Sequence, residues 1–269
     1  MRIRTVLRGI ALIAASTTCA NAATLLTENF NFPDGDLKLA PGSLWVSHGG
    51  GTTPLNVVGG SAFIDQNDTT SGRDDYNRPL SLGFDPSTDN TSKIYVGFTV
   101  NFAALPFDSG TSTAGSYFAH LKSSAANEFY GRIGANREGA AVGMFRLGIA
   151  TESWANGANT VEYPLDLSLN TTYFVVMRYD LATDRATLWV NPVDELSTSV
   201  VSVDAPSYAA GSINAFALRQ GTSNSTGAPG DIFFDSLIVG TSFIEVVPEP
   251  STAALAGLGL LALALRRRR

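Results

Sequence analysis

The sequence predicts an all-β protein, an antiparallel β-sandwich carried between two terminal signals. Three observations predict it. Apolar residues between Ala23 and Val247 recur with a period of two, so they line strand faces rather than helix stripes. The alternating runs are short, rich in Val, Ile, Phe, Tyr and Thr, and separated by Gly, Asn, Asp, Ser and Pro. The chain has 26 glycines and only 16% charged residues, and no amphipathic segment of helical period interrupts the pattern.

The first 22 residues have the layout of a secretory signal peptide. Arg2, Arg4 and Arg8 form a basic start, Ile10 to Ala15 an apolar stretch too short to span a bilayer, and Ala20-Asn21-Ala22 a small-x-small cleavage site. Signal peptidase is expected to cut between Ala22 and Ala23. Cys19 is the only cysteine and lacks the Leu and small-residue context of a lipidation site, so it leaves with the signal. The mature chain then has no disulfide, cysteine nucleophile or thiolate metal ligand. The 225 residues from Ala23 to Val247 must hold their fold by core burial, and they suffice for one sizeable domain.

Within that body, "KIYVGFTVNFA" places Ile94, Val96, Phe98, Val100 and Phe102 on one strand face. "MFRLGI" does the same with Phe145, Leu147 and Ile149. "TYFVVMRYD" and "RATLWVN" read as a hairpin across Leu181–Asp184, and "INAFALRQ" and "DIFFDSLIVG" supply two late strands. The segment Gly221–Gly230 reads as a loop, and no internal repeat or dividing linker is present.

The end of the chain is a second signal. Pro248 and Pro250 keep the backbone extended, Ser251 to Leu265 is an apolar run, and Arg266, Arg267, Arg268 and Arg269 close the sequence. As a helix the run would span roughly 22 Å at about 1.5 Å per residue, short for a hydrocarbon core of about 30 Å. The arginines fix its direction, with everything before it outside the cell. Pro248-Glu249-Pro250, the short helix and the arginine cluster together resemble the PEP-CTERM sorting signal, which assigns residues 248–269 to it. That resemblance implies a Gram-negative-type bacterium that makes exopolysaccharide. It also implies recognition by an exosortase, transient anchoring in the inner membrane, and release or attachment outside after cleavage near Pro248–Pro250.

Three blocks of the body resemble the concanavalin A-like, LamG-type jelly rolls. They are "ENFNFPDGDL" (Glu28–Leu37), "TYFVVMRYDLATDRATLWVNP" (Thr171–Pro192) and "DIFFDSLIVGTSFIEVVPEP" (Asp231–Pro250). The resemblance implies carbohydrate or protein binding, a structural Ca²⁺ in some members, and pairing of the first strand with the last.

Charge excludes some partners. The two terminal signals hold seven of the 18 basic residues and one of the 24 acidic ones, leaving 11 basic against 23 acidic in the body. Such a body does not suit nucleic acid or anionic lipid. The membrane is then a partner only through the C-terminal helix before processing.

No catalytic constellation is apparent. A laminarinase-like hydrolase needs paired carboxylates from Glu-x-Asp-x-x-Glu, and Glu-x-Asp does not occur in the chain. Asp74-Asp75 and Asp194-Glu195 are adjacent pairs, read as solvated loop charges. The two histidines, His48 in "SHGGGTTP" and His120 in "SYFAHLK", lack a Gly-x-Ser-x-Gly elbow and are read as structural or surface residues. For Ca²⁺, Asp34, Asp36, Asp231 and Asp235 are the candidate oxygen donors, set against their ordinary use as turn residues. For sugar stacking the candidates are Trp45, Trp154, Trp189 and Tyr130.

The expectation is therefore an exported, non-enzymatic module of the extracellular matrix, lectin-like in one version, with a polysaccharide as its partner. Two alternatives stay open: a secreted polysaccharide-active enzyme with a non-standard site, and a surface protein whose C-terminal helix is never cut.

Overall fold

The computed structural model describes residues 22–65, 72–85, 88, 92–106, 116–123, 128–154, 159–204, 212–220 and 230–247. Both predicted signals lie outside them, except for Ala22 and Ala23, which are exposed. The expected helix from Ser251 to Leu265 is among the residues not described. Among the described residues no helix is long and apolar enough to cross a membrane.

The strands in chain order are β1 (Thr24–Glu28), β2 (Gly35–Asp36), β3 (Val46–Ser47), β4 (Asn56–Val58), β5 (Ser61–Ile64), β6 (Tyr76–Phe84), β7 (Lys93–Phe102) and β8 (Ser116–Ser123). They continue as β9 (Phe129–Asn136), β10 (Arg146–Ala150), β11 (Val161–Glu162), β12 (Thr172–Asp180), β13 (Arg185–Val190), β14 (Val200–Val201), β15 (Ile213–Leu218) and β16 (Ile232–Gly240). A short helical turn, α1 (Phe243–Val246), follows β16. The strands form two antiparallel sheets. One has nine strands in the order β14-β13-β12-β7-β16-β5-β4-β2, with β1 also on β16. The other has seven, in the order β11-β10-β9-β8-β15-β6-β3. This is the predicted β-sandwich of jelly-roll type.

The alternating residues of the sequence build the core between the sheets. Ile94, Val96, Phe98, Val100 and Phe102 of β7 are all buried, as are Phe145, Leu147 and Ile149. Phe98 stacks on Phe234 at 4.5 Å and Phe102 meets Phe145 at 4.2 Å between ring centres. Each such ring contributes about 1.5–3 kcal/mol by leaving water. The hairpin predicted across Leu181–Asp184 is present, with Asp180 paired to Arg185. Its turn is made by the Asp180 carboxylate accepting from the Ala182 N–H, and by Asp184 at φ 49°, a conformation that Asp tolerates.

First and last strands pair, β1 along Leu237–Gly240 of β16. The opposite half of the same edge of β16, Ile232–Phe234, pairs with β5. Between the halves the register shifts and Ser236 takes φ 54°, a bulge that lets one strand edge serve two neighbours.

The sequence gives no sign of α1. Its turn lies on the outer face of the nine-stranded sheet, where Val246 joins Tyr95, Val176 and Trp189 in a second apolar cluster, with Phe243 packed against it. Glu245 accepts hydrogen bonds from the N–H groups of Thr241 and Ser242, fixing the turn's start. Gly97 lies directly beneath: a side chain there would run into the Val246 backbone.

Candidate functional site

The outer face of the seven-stranded sheet carries a different set of residues. On β8, register irregularities between Tyr117 and Ala119 and between Ala119 and Leu121 disturb simple alternation. Tyr117, His120 and Lys122 are consequently grouped on the outside while Phe118 and Leu121 enter the core. The neighbouring β9 adds Phe129, paired with Lys122, and Arg132. On the other side β15 presents Ala217 opposite His120 and Ala215 opposite Lys122, two small side chains that floor a trough. Beyond them on β6 lie Asn77 and Pro79.

A glycine-rich strap brings His48 to this face. The backbone from His48 to Thr53 bonds to residues 72–75: His48 N–H donates to the Asp75 carbonyl at 2.8 Å and Thr53 N–H to the Gly72 carbonyl at 3.0 Å. The approach is too close for side chains. A Cβ on Gly49 would stand 2.7 Å from the Asp75 nitrogen, and one on Gly51 would collide with the Arg73 backbone. An open cleft of about 550 Å³ results, with His48, Asn77, Lys122, Asn214, Pro79 and Ala215 among its walls.

The rings and cations interlock. The His120 ring lies 4.5 Å from Phe129, 5.4 Å from Tyr117 and 6.2 Å from His48. The guanidinium carbons of Arg132 and Arg219 each sit 4.5 Å from the Tyr117 ring centre, and Arg132 also lies over Phe129. Lys122 Nζ donates to the Ser123 carbonyl at 2.8 Å and lies 5.9 Å from the Phe129 ring. Such cation–ring contacts are worth about 0.5–1 kcal/mol each where exposed. They hold the charged groups against the ring faces.

Electrostatics keep the histidines neutral. Burial lowers the His48 pKa to about 4, with Lys122 adding to the effect and Asp74 and the Asn77 amide opposing it. Burial also pushes His120 well below its usual value, followed by the positive fields of His48, Arg132, Arg219 and Lys122. Among the described residues, none of the four ring nitrogens of His48 and His120 has a hydrogen-bond partner of good geometry. Burial lowers Lys122 too, against the pull of Glu128. The arrangement sets cations and ring faces beside a cleft walled by Asn77, Asn214 and Lys122, which suits binding of a polar, anionic molecule.

Of the four aromatic residues nominated from sequence, three are enclosed. Trp45 is 2% exposed, packs on Phe30 at 5.6 Å and donates Nε1–H to Glu28 at 3.1 Å. Tyr130 is 3% exposed and meets Tyr179 in the core. Trp189 is 2% exposed beneath the C-terminal turn. Their ring faces are spent on protein packing, which corrects their candidacy as sugar platforms. Trp154 differs: it is half-buried and lies over Gly134 and Gly148, a cross-strand pair next to Tyr117 on the outer face.

The acidic candidates are dispersed. Asp34 accepts from the Gly59 N–H at 2.8 Å, and Asp36 from the Lys38 N–H and the Tyr76 hydroxyl at 3.0 and 2.7 Å. The Asp231 carbonyl takes the Ala103 N–H, and the Asp235 carboxylate, its pKa raised by burial, takes the Ser236 N–H. Asp36 on β2 stands three strand positions from Asp235 on β16, about 14 Å at normal strand spacing. First and last strands pair, but the two groups of aspartates do not come together. Among the described residues no group of three or more His, Cys, Asp or Glu side chains is placed to hold a metal.

The reading of Asp74-Asp75 as solvated needs correction. Asp74 is 1% exposed and faces Lys38 at 3.5 Å, and Asp75 accepts from the Gln220 N–H, because the glycine strap packs over them. Glu195 is exposed, yet it ties Tyr95 and Arg178 together at 2.7 and 3.0 Å.

Sequence reasoning gave Tyr117, Phe129, Arg132, Arg219 and Lys122 no role, and treated the histidines as structural or surface residues. The one available signal was the mixture of His120, Lys122 and Tyr117 within a single strand.

Comparison with known proteins agrees with the C-terminal signal. Residues 246–269 match the family model described as the PEP-CTERM protein-sorting motif. The chain ends in a PEP-CTERM sorting motif. That motif directs a protein to export and to the cell surface or beyond, with processing by an exosortase. The PEP-CTERM match begins at Val246, the residue that α1 buries against the nine-stranded sheet. No curated protein matches the sequence. Solved structures of similar fold include the CBM2 module of the evolved Dit of Lactobacillus casei BL23 phage J-1, at 12% identity and TM-score 0.47 over 85% of this chain and 98% of that one. A mutant of alginate lyase Aly36B in complex with alginate tetrasaccharide is 14% identical, with TM-score 0.46 over 81% and 96%. The T. cruzi calreticulin globular domain is 9% identical, with TM-score 0.42 over 91% and 99%.

Proposed function

We propose that this protein is an exported component of the exopolysaccharide matrix, processed at its PEP-CTERM motif and acting outside the cell as a non-catalytic carbohydrate-binding module. The inner membrane holds it transiently, through the residues after Pro250, until the exosortase acts. One observation carries the binding reading: the outer face of the seven-stranded sheet, where the half-buried rings of Tyr117, Trp154 and Phe129 lie on the same face as an open cleft walled by Asn77 and Asn214. Rings supply stacking area for sugar faces, and the Asn77 and Asn214 amides supply hydrogen bonds to hydroxyls.

Affinity electrophoresis of the purified full-length chain through gels containing different polysaccharides tests this. Retardation by at least one polysaccharide, weakened by Tyr117→Ala, is expected; free migration through all of them overturns the binding reading. Intact mass of the secreted protein tests processing. A C-terminus near Pro248–Pro250 is expected, and one at Arg269 favours an uncut, tail-anchored protein.

A second reading, a polysaccharide-active enzyme, would need His48, a neutral imidazole on the cleft wall, to turn a ring nitrogen to substrate as proton acceptor. New reducing or unsaturated ends in the polysaccharide after incubation with the protein would establish it in place of the non-catalytic reading.

A further inference from the structure

The charges on the binding face name the class of ligand. Lys38, Arg73, Arg78, Lys93, Arg146 and Arg178 each lie within 4.0 Å of a carboxylate. Arg132 and Lys122 are placed otherwise. They gather around His120 against the Tyr117 and Phe129 rings, and among the described residues neither Arg132 nor Lys122 forms a salt bridge. Arg132 Nε is buried without a hydrogen-bond partner among those residues. Arg219 uses Nη1 on Ser116 Oγ at 2.6 Å, which orients the guanidinium beside Tyr117.

Concentrating cations on one face is costly where like charges repel, and it lowers the pKa of His120 as well. It is also out of keeping with a body of 11 basic and 23 acidic residues. An anionic partner would offset that cost. A guanidinium packed against a ring retains in-plane N–H donors that match the two oxygens of a carboxylate. The ordered aromatic and cationic side chains run from Trp154 over β9–β10 to Asn77 on β6, five strands and roughly 19 Å across. That length suits several consecutive sugar units rather than a single ion.

We propose that the outer face of the seven-stranded sheet binds a carboxylate-bearing polysaccharide, a polyuronate. Arg132, Arg219 and Lys122 meet its carboxylates, while Asn77 and Asn214 meet hydroxyls along the cleft. The inference rests on the carbohydrate-binding reading of the same face.

The test is calorimetric titration of the purified full-length chain in EDTA with polygalacturonate, with the same polymer after its carboxyl groups are reduced to alcohols, and with poly-L-glutamate. Polygalacturonate is expected to bind, its reduced form about tenfold or more weaker, and poly-L-glutamate not at all. Arg132→Gln and Arg219→Gln are each expected to weaken polygalacturonate binding by about tenfold and leave a cooperative thermal transition. Should either variant fail to fold, the comparison between native and reduced polymer still decides the matter. Equal binding of the two polymers overturns the polyuronate assignment and leaves carbohydrate binding standing. Poly-L-glutamate binding as tightly as polygalacturonate, or no binding of any polymer, overturns both.

Discussion

Outside the nine-stranded sheet, Tyr95, Val176 and Trp189 lie beneath α1, and Val246 completes the cluster. Outside the seven-stranded sheet, Tyr117 and Phe129 hold guanidinium and ammonium groups, and an open cleft runs beside them. Both faces are aromatic. The first is made of groups that gain only from being covered, and the chain covers it with its own last turn. The second mixes half-buried aromatic rings with cations beside an open cleft, and no segment among the described residues caps it. The comparison separates aromatic residues that stabilise this fold from those positioned to bind.

That distinction can be broken most forcefully at Trp189. Trp189→Ala is expected to destabilise the fold by about 3–5 kcal/mol, read from urea denaturation, with polysaccharide binding unaffected at temperatures where the variant is folded. A loss below about 1 kcal/mol would mean that the capped face is incidental.

Acidification comes next in size, and it acts on the open face. With the His48 pKa lowered from 6.5 to about 4, the unfolded chain takes up a proton that the folded chain refuses. Stability is therefore unaffected at pH 7, falls as pH drops through about 6.5, and levels off below about 4. The part due to His48 is at most about 3 kcal/mol. The measurement is the difference in Tm against pH between the native protein and His48→Gln; parallel curves would contradict the burial argument.

Gly97→Ala is a milder test of the cap. The added methyl meets the Val246 carbonyl, so α1 is expected to lift. Faster amide exchange in residues 243–247 and a loss of about 1–2 kcal/mol should follow. Unchanged exchange there would show that the turn adapts.

The smallest expected effect is that of chelation. Asp34 and Asp36 already accept hydrogen bonds from Gly59, Lys38 and Tyr76, and Asp235 lies on a separate strand. EDTA is expected to leave the thermal midpoint unchanged; a fall of several degrees, reversed by Ca²⁺, would restore a structural calcium site.

Much of the fold was legible because alternation has a single reading in an antiparallel sheet. Ile94, Val96, Phe98, Val100 and Phe102 point inward together because residues two apart share a face. The hairpin at Leu181–Asp184 was legible because its partners are local. The site was not. Tyr95 and Trp189 follow the strand pattern, yet whether the outward side is wet depends on α1, which packs there from the end of the body. Trp45 in sequence is an aromatic residue in a polar loop; its burial depends on Glu28 and Phe30 arriving from the β1 region.

The sequence by itself determined the sorting motif and the architecture: the C-terminal Pro-Glu-Pro, apolar run and arginine cluster, and the short alternating strands. These are properties of contiguous residues, so no folding is needed to read them. Only the tertiary structure decided which aromatic residues are enclosed and which lie on the outer face of the seven-stranded sheet. His48, Asn77, Tyr117, Arg132 and Arg219 belong to separate segments, and they meet because the strand order β9-β8-β15-β6-β3 sets those segments side by side. That order arises from backbone pairing between residues far apart in the chain, and no local spacing encodes it.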